Sequence, residues 1–236
     1  MATPPARTEL ADTYPNPSNA VFRTGIGKLW DYVTERLGAT GSAADARSAL
    51  GIGSAITFRN LLINAGGWVN QRVYVTGTAT TGANQYTLDR WRVVTSGQSV
   101  AFGAASPDRT MTAPAGGLEQ VIEGASVIGG VYTLSWTGTA TATVNGAAIT
   151  NGGNTASLPA NTNVTVRFIG GTVTLPQFEL GTVATPFERR LPGVEMALCQ
   201  RFYQKPSIAP LINGQFYTTT AARFLWVFKV QMRATP

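Results

Sequence analysis

The sequence contains no histidine and a single cysteine, and only 13% of its 236 residues are charged. Without histidine, the usual zinc ligand and the base of a Ser–His pair are both missing. One cysteine, Cys199, excludes an intrachain disulfide and any cluster of cysteine metal ligands. No run of 18 or more apolar residues occurs, and the N-terminus lacks the basic-then-apolar order of a signal peptide. Neither membrane insertion nor ordinary secretion is expected. Lysine and arginine form no long run, basic helix or stripe, so nucleic acid is not an expected partner. No Asp-rich loop has EF-hand spacing and no glycine-rich loop cradles phosphate, so neither metal nor cofactor is expected.

What is present points to β-structure. Hydrophobic residues make up 44% of the chain, close to an ordinary globular protein, whereas charged residues fall well below the usual quarter. The surface is therefore carried by Thr, Asn, Ser and Gly, as in strands and oligomer contacts. The length suits one large all-β domain or a smaller one with appendages. The net charge of +6 is uneven. Six basic and five acidic residues occur through Arg59, five and six from Asn60 to Glu188, and seven and one from Arg189 onward. The last group suits phosphates or acidic glycans; it reads equally well as a solvated face or a contact with an acidic neighbouring subunit.

Residues 1–17, with four prolines and no periodicity, read as an extended attachment arm. Residues 18–57 read as a helical neck or linker. A helix is expected from Ser18, with Phe22, Ile26, Leu29, Trp30, Val33 and Leu37 forming an apolar stripe and Gly38 ending it. Gly25 and Gly27 weaken it by about 1 kcal/mol each, so packing must hold it together, either on a β-domain or around an axis shared by several chains. A second short helix is expected from Ser42 to Leu50, capped by Ser42.

From Ile56 the hydrophobic period becomes 2, and residues 58–191 are expected to form a jelly-roll-like antiparallel β-sandwich. Strands are expected at Gln71–Val75, Arg90–Val94, Ser99–Phe102, Leu118–Ile122 and Val131–Trp136. Asn145-Gly146 marks a hairpin turn. Val164, Val166 and Phe168 alternate before Gly170-Gly171, and Val173 and Leu175 resume, which predicts a second hairpin.

Prolines 176, 186 and 192 punctuate the exit from this region. Beyond them Val194, Leu198 and Phe202 recur four apart beside Cys199, so a short helix should bury that face and leave Glu195, Gln200 and Arg201 off it. Alternation from Arg223 to Met232 predicts one strong strand. Residues 192–236 thus read as a helix and a strand, the start of a further C-terminal region.

Two chemistries are worth weighing. Sugar rings stack their C–H faces on aromatics while their hydroxyls need amide or carboxylate partners. Trp68, Gln71, Arg72, Tyr74, Tyr86 and Asp89 supply both, and are the candidate glycan contacts. Trp91 beside them suits core, and Asp89 with Arg90 suits a structural ion pair. Glycoside hydrolysis instead needs two carboxylates about 5–9.5 Å apart. Glu119 and Glu123 in one strand would lie about 13 Å apart, and Asp108, Glu179 and Glu188 are scattered. Catalysis is not expected.

The stretch QFELGTVATPFERR followed by EMALCQRFY, within Pro176–Tyr203, resembles a segment recurring in phage and prophage tail-fibre proteins. NLLINAGGWVNQR (Asn60–Arg72) and YTLDRWRV (Tyr86–Val93) resemble the same family in the same order, although Gly66-Gly67-Trp68-Val69 departs from its usual aromatic pair. The resemblance covers roughly residues 60–235. It implies a homotrimeric structural protein of the virion tail, made in the bacterial host cytoplasm. Its N-terminus would attach to the tail, baseplate or an adaptor, and its β-domain would face the host surface polysaccharide. A carbohydrate-binding module of a bacterial surface protein and a capsule depolymerase are the alternatives.

Overall fold

Along Val164–Ile169 every second side chain is buried: Val164, Val166 and Phe168 point inward, while Thr165, Arg167 and Ile169 are half-exposed. This period of two marks a strand with one face on a core. In the computed structural model, which describes residues 58–104, 108–205, 214–224 and 227–234, such strands build two antiparallel sheets packed as a sandwich. The expected arm over 1–17, the helix carrying Phe22 to Leu37 and the helix over 42–50 lie outside the described residues.

The strands, in chain order, are β1 (Gln85–Tyr86), β2 (Arg92–Val93), β3 (Ala101–Phe102), β4 (Met111–Ala113) and β5 (Leu118–Ile122). They continue with β6 (Tyr132–Thr137), β7 (Thr141–Val144), β8 (Ala147–Ile149), β9 (Gly153–Asn154), β10 (Val164–Ile169) and β11 (Gly171–Leu180). One sheet has the order β1-β2-β5-β10-β7-β8, the other β3-β4-β11-β6-β9. Between them lie Trp91, Leu118, Val166 and Phe168 from the first sheet's side and Met111, Leu134, Val173 and Phe178 from the second. Trp136 meets Phe168 edge-on at 5.4 Å between ring centroids, so the two sheets interlock directly. Tyr132 and Phe178 stack at 5.0 Å within the second sheet.

Asn145-Gly146 turns β7 into β8 as its sequence predicts, with both residues at positive φ. Gly170-Gly171 does something else. β10 pairs with β5 and β7, whereas β11 pairs with β4 and β6, so the expected second hairpin is a crossing from one sheet to the other. Gly171, at φ +90°, passes so close to Thr139 and Ala140 that a Cβ would meet Thr139 Oγ1 at 2.7 Å and Ala140 N at 2.8 Å. Pro176 sits within β11, where the register shifts between Thr174 and Gln177; a bulge is where a strand tolerates proline.

Other expectations change as well. Gln71–Val75 is a compact loop rather than a strand, because the Asn70 side chain takes the Tyr74 N–H and donates to the Tyr74 carbonyl, with Val73 at φ +56°. The helix α1 (Pro192–Gln200) forms where expected, with Pro192 in its first turn, but its buried residues are Glu195 and Cys199. After it, β12 (Gly214–Thr218) and β13 (Ala221–Phe224) make a hairpin. The single strand predicted over 223–232 is not continued through 227–232. There the Gln204 side-chain amide accepts from Lys229 N and donates to the Val230 carbonyl, and Arg233 N donates to the Arg201 carbonyl. The backbone is thereby folded back toward the end of α1 and held out of a ladder. No helix among the described residues is long and apolar enough to cross a membrane.

Candidate functional site

Residues 60–64, before β1, belong to no strand, so most of their backbone groups are satisfied by side chains. Leu61 N donates to the Phe178 carbonyl, and the Asn60 side chain takes both Phe178 N and Leu62 N while donating to the Pro176 carbonyl. Gln120, on the inward face of β5, pairs with both backbone groups of Ile63. Asn64 is fully buried at φ +56°. Its amide donates to the carbonyls of Val69 and Asp89 at 2.8 and 2.9 Å and accepts from Val69 N at 2.9 Å. The Asn64 carbonyl accepts the indole N–H of Trp91.

The region after β11 supplies the remaining acceptors. Glu188 takes Asn60 N, and Glu195 takes Asn64 N at 2.8 Å. Arg190 binds Glu195 at 3.0 Å and donates to the carbonyls of Asn60 and Leu62. Glu195 is therefore buried because orphan N–H groups lie beneath the helix, which corrects its expected place off the packed face. Cys199 is buried beside it, and burial pushes its thiol well above the ordinary range.

The same docking brings the end of α1 against the loop before β1. Gln71 Nε2 donates to the Tyr203 carbonyl and to Asp89 Oδ1, while Asp89 Oδ2 accepts Gln71 N. Arg72 stacks on Tyr203, its guanidinium carbon 3.6 Å from the ring centroid, with Tyr86 at 5.4 Å on another side. Arg90 lies 3.6 Å over Phe202 and donates to the Val121 carbonyl. The stretches Asn60–Arg72, Tyr86–Val93 and Pro186–Tyr203 thus converge on one place.

A pocket of about 470 Å³ opens there, against the outer face of β2 and β5. Arg72, Tyr86 and Asp89 line one side, and Arg201, Phe202 and Tyr203 another. Arg233 and Met232 approach from the C-terminal segment. At the pocket margin Arg92 and Arg167 flank Glu119, which they face directly across β2, β5 and β10. The Glu119 carboxylate is buried between them, bonded to both. Burial raises the Asp89 pKa above the ordinary carboxylate range, an effect opposed by the Gln71 hydrogen bonds and by Arg72. Burial also lowers the Arg90 pKa, against the attraction of Tyr86, Cys199 and Glu123.

Of the predicted glycan contacts, Arg72, Tyr86 and Asp89 meet in this pocket, and Gln71 stands behind it holding Asp89. Trp68 and Tyr74 do not line it. Tyr74 packs on Phe102 with ring centroids 6.1 Å apart and donates to the Thr78 carbonyl. Trp91 is core, as weighed, with no exposure. Asp89 and Arg90 form no ion pair with each other among the described residues: their partners are Gln71 on one hand, Phe202 and Val121 on the other. Sequence reasoning missed Arg201, Phe202, Tyr203 and Arg233. The signal that marks them is the basic excess after Arg189, with aromatic residues directly at the helix end.

Among the described residues no group of three or more Cys, Asp or Glu is placed to hold a metal ion. The pocket holds a stacking surface, arginine donors and a shielded carboxylate, a set suited to binding a polar ring compound. No family model matches the chain, and neither a curated protein nor a solved structure is found similar to it.

Proposed function

We propose that the chain is a structural phage tail-fibre protein whose β-sandwich carries a glycan-binding pocket toward the host surface. One observation carries this reading. The three stretches that resemble tail-fibre sequences, far apart along the chain, meet around a pocket of about 470 Å³ lined by aromatic rings and arginines. A solvated face of scattered charges would not stack Arg72 and Arg90 on rings at 3.6 Å. We read the sandwich as jelly-roll-like, since the chain passes repeatedly between sheets, as at β10 to β11.

In this reading residues 1–57 anchor the protein to the tail or baseplate, and three copies assemble as a homotrimer in the virion. Each pocket binds host polysaccharide weakly. Linking several pockets raises the overall avidity by roughly 10²–10⁴ without any new contact. The protein works as a binder and not as an enzyme.

The test combines assembly and adsorption. Purified full-length protein should sediment as a trimer, and virions lacking it should fail to adsorb. Virions carrying Tyr86→Ala together with Tyr203→Ala should assemble normally but adsorb poorly. A monomer in solution, combined with normal adsorption by virions without the protein, would defeat the reading.

A further inference from the structure

Among the described residues, two of the arginines lining the pocket have no carboxylate partner. Arg90 is only 6% exposed; it lies on Phe202, donates to the Val121 carbonyl, and its buried Nε has no acceptor among the described residues. Arg72 is stacked on Tyr203, and its buried Nε likewise has no acceptor. The other lining arginines are already paired: Arg92 with Glu119, and Arg201 and Arg233 with Glu123 at 3.2 and 3.6 Å. Counting the lining residues alone, five arginines stand against Asp89 and Glu123, a net charge of +3 (five minus two).

Asp89 does not offset the unpaired cations by a direct contact. Both its oxygens are occupied by Gln71, at 2.6 and 2.9 Å. A cation taken out of water without an anion is unfavourable unless a partner arrives. A guanidinium stacked on a ring has its face covered and its in-plane N–H edge available, the geometry that grips a carboxylate or phosphate. The pocket is also far larger than one bare anion needs, and falls in the range of sites for small organic ligands, about 300–1,000 Å³. Tyr86, 37% exposed, offers a ring at its edge.

We propose that the pocket selects an acidic saccharide, its carboxylate or phosphate held by Arg72 and Arg90 and its sugar ring by the aromatic rim. This deepens and rests on the glycan-binding reading given above. Neutral hydroxyls alone would leave both arginines without a direct anionic contact among the described residues, so charge is the main determinant of specificity. Binding weakens with added salt, because the rim around Arg201 and Arg233 is open to solvent.

Saturation-transfer difference NMR on the full chain tests this with glucuronate against glucose, galacturonate against galactose, and glucose 6-phosphate. The acidic sugars should show transfer at millimolar concentration and their neutral parents much less. Transfer from the uronates only would assign the carboxylate, and from glucose 6-phosphate only the phosphate. Arg72→Gln and Arg90→Gln should each weaken binding about tenfold or more, the size expected for a lost charge-assisted hydrogen bond. Arg72→Gln, nearer the surface, serves if Arg90→Gln does not fold. Equal transfer from acidic and neutral sugars overturns the charge selectivity while leaving glycan binding intact. No transfer from any sugar overturns both, and acidic binding unchanged in both variants overturns the assignment to this pocket.

Discussion

Replacing Asn64 with alanine should cost about 4 kcal/mol of folding stability. The side chain makes three buried hydrogen bonds, to the Val69 carbonyl, the Asp89 carbonyl and Val69 N. Each is worth about 1 kcal/mol when its partner is left buried, so their loss contributes about 3 kcal/mol. Asn64 also lies at φ +56°, where alanine adds about 1 kcal/mol of strain. Asn84→Ala supplies the control, because Asn84 has nearly the same φ of +57° but is exposed and its side chain makes no hydrogen bond among the described residues. It should lose only the strain, about 1 kcal/mol. The measurement is urea unfolding of the full chain followed by tryptophan fluorescence. With a slope of about 2 kcal/mol per molar, the midpoint should fall by about 2 M for Asn64→Ala and about 0.5 M for Asn84→Ala. Asn64→Asp sharpens the test by turning a donor into an acceptor aimed at two carbonyl oxygens. It should be at least as damaging at neutral pH and partly recover in acid, when the protonated carboxyl donates again. Equal midpoint losses for Asn64→Ala and Asn84→Ala would refute the role of the Asn64 side chain in joining Val69 to Asp89.

The sheet crossing at Gly170-Gly171 predicts unequal effects of the same substitution on neighbouring residues. Gly171→Ala should cost about 3 kcal/mol, since its Cβ meets Thr139 and Ala140 backbone, whereas Gly170→Ala, with no atom within 4 Å, should cost about 1 kcal/mol; similar melting temperatures for the two variants would count against the crossing. The raised Asp89 pKa gives a pH dependence whose sign is fixed. The folded state favours the protonated carboxyl, so this contribution is present at low pH and is lost as pH rises from about 3.9 through the raised value. Urea midpoints should therefore decline across that window more in the wild type than in Asp89→Asn, and parallel pH profiles would contradict it.

The sandwich was legible because its period was. Val164–Ile169 and the Asn145-Gly146 turn carry local signals, a period of two and a turn pair, that tertiary structure has no reason to override. Gly170-Gly171 shows where such signals stop. A glycine pair between alternating runs predicts a reversal, but the pair alone does not specify whether the next strand returns to the same sheet or enters the facing one. Gln71–Val75 fails for a different reason. Its alternation is real, but Asn70 closes the loop through two side-chain bonds to Tyr74, a local competitor to the ladder.

Glu195 explains why the site was only half legible. A helical wheel assigns a glutamate to solvent when its neighbours are apolar, because the rule counts only what the helix gains by burial. Here the surface beneath α1 is a segment without a ladder, and its N–H groups at Asn60 and Asn64 need acceptors. Glu188, partly buried, and Glu195, buried, meet that need, and Arg190 keeps Glu195 paired. Glu188, Arg190 and Glu195 of the exit region are therefore what seat the helix, and the positions of Arg201, Phe202 and Tyr203 follow from that seating. Arg72, Tyr86 and Asp89 were readable as a polar and aromatic group within one stretch. The residues across the pocket, Arg201, Phe202 and Tyr203, lie more than a hundred residues away, and only the helix, fixed by its buried carboxylate, brings Phe202 and Tyr203 onto Arg90 and Arg72. The seating of the helix and the shape of the pocket are thus coupled: a change that unseats Glu195 should open the pocket without touching any residue that lines it.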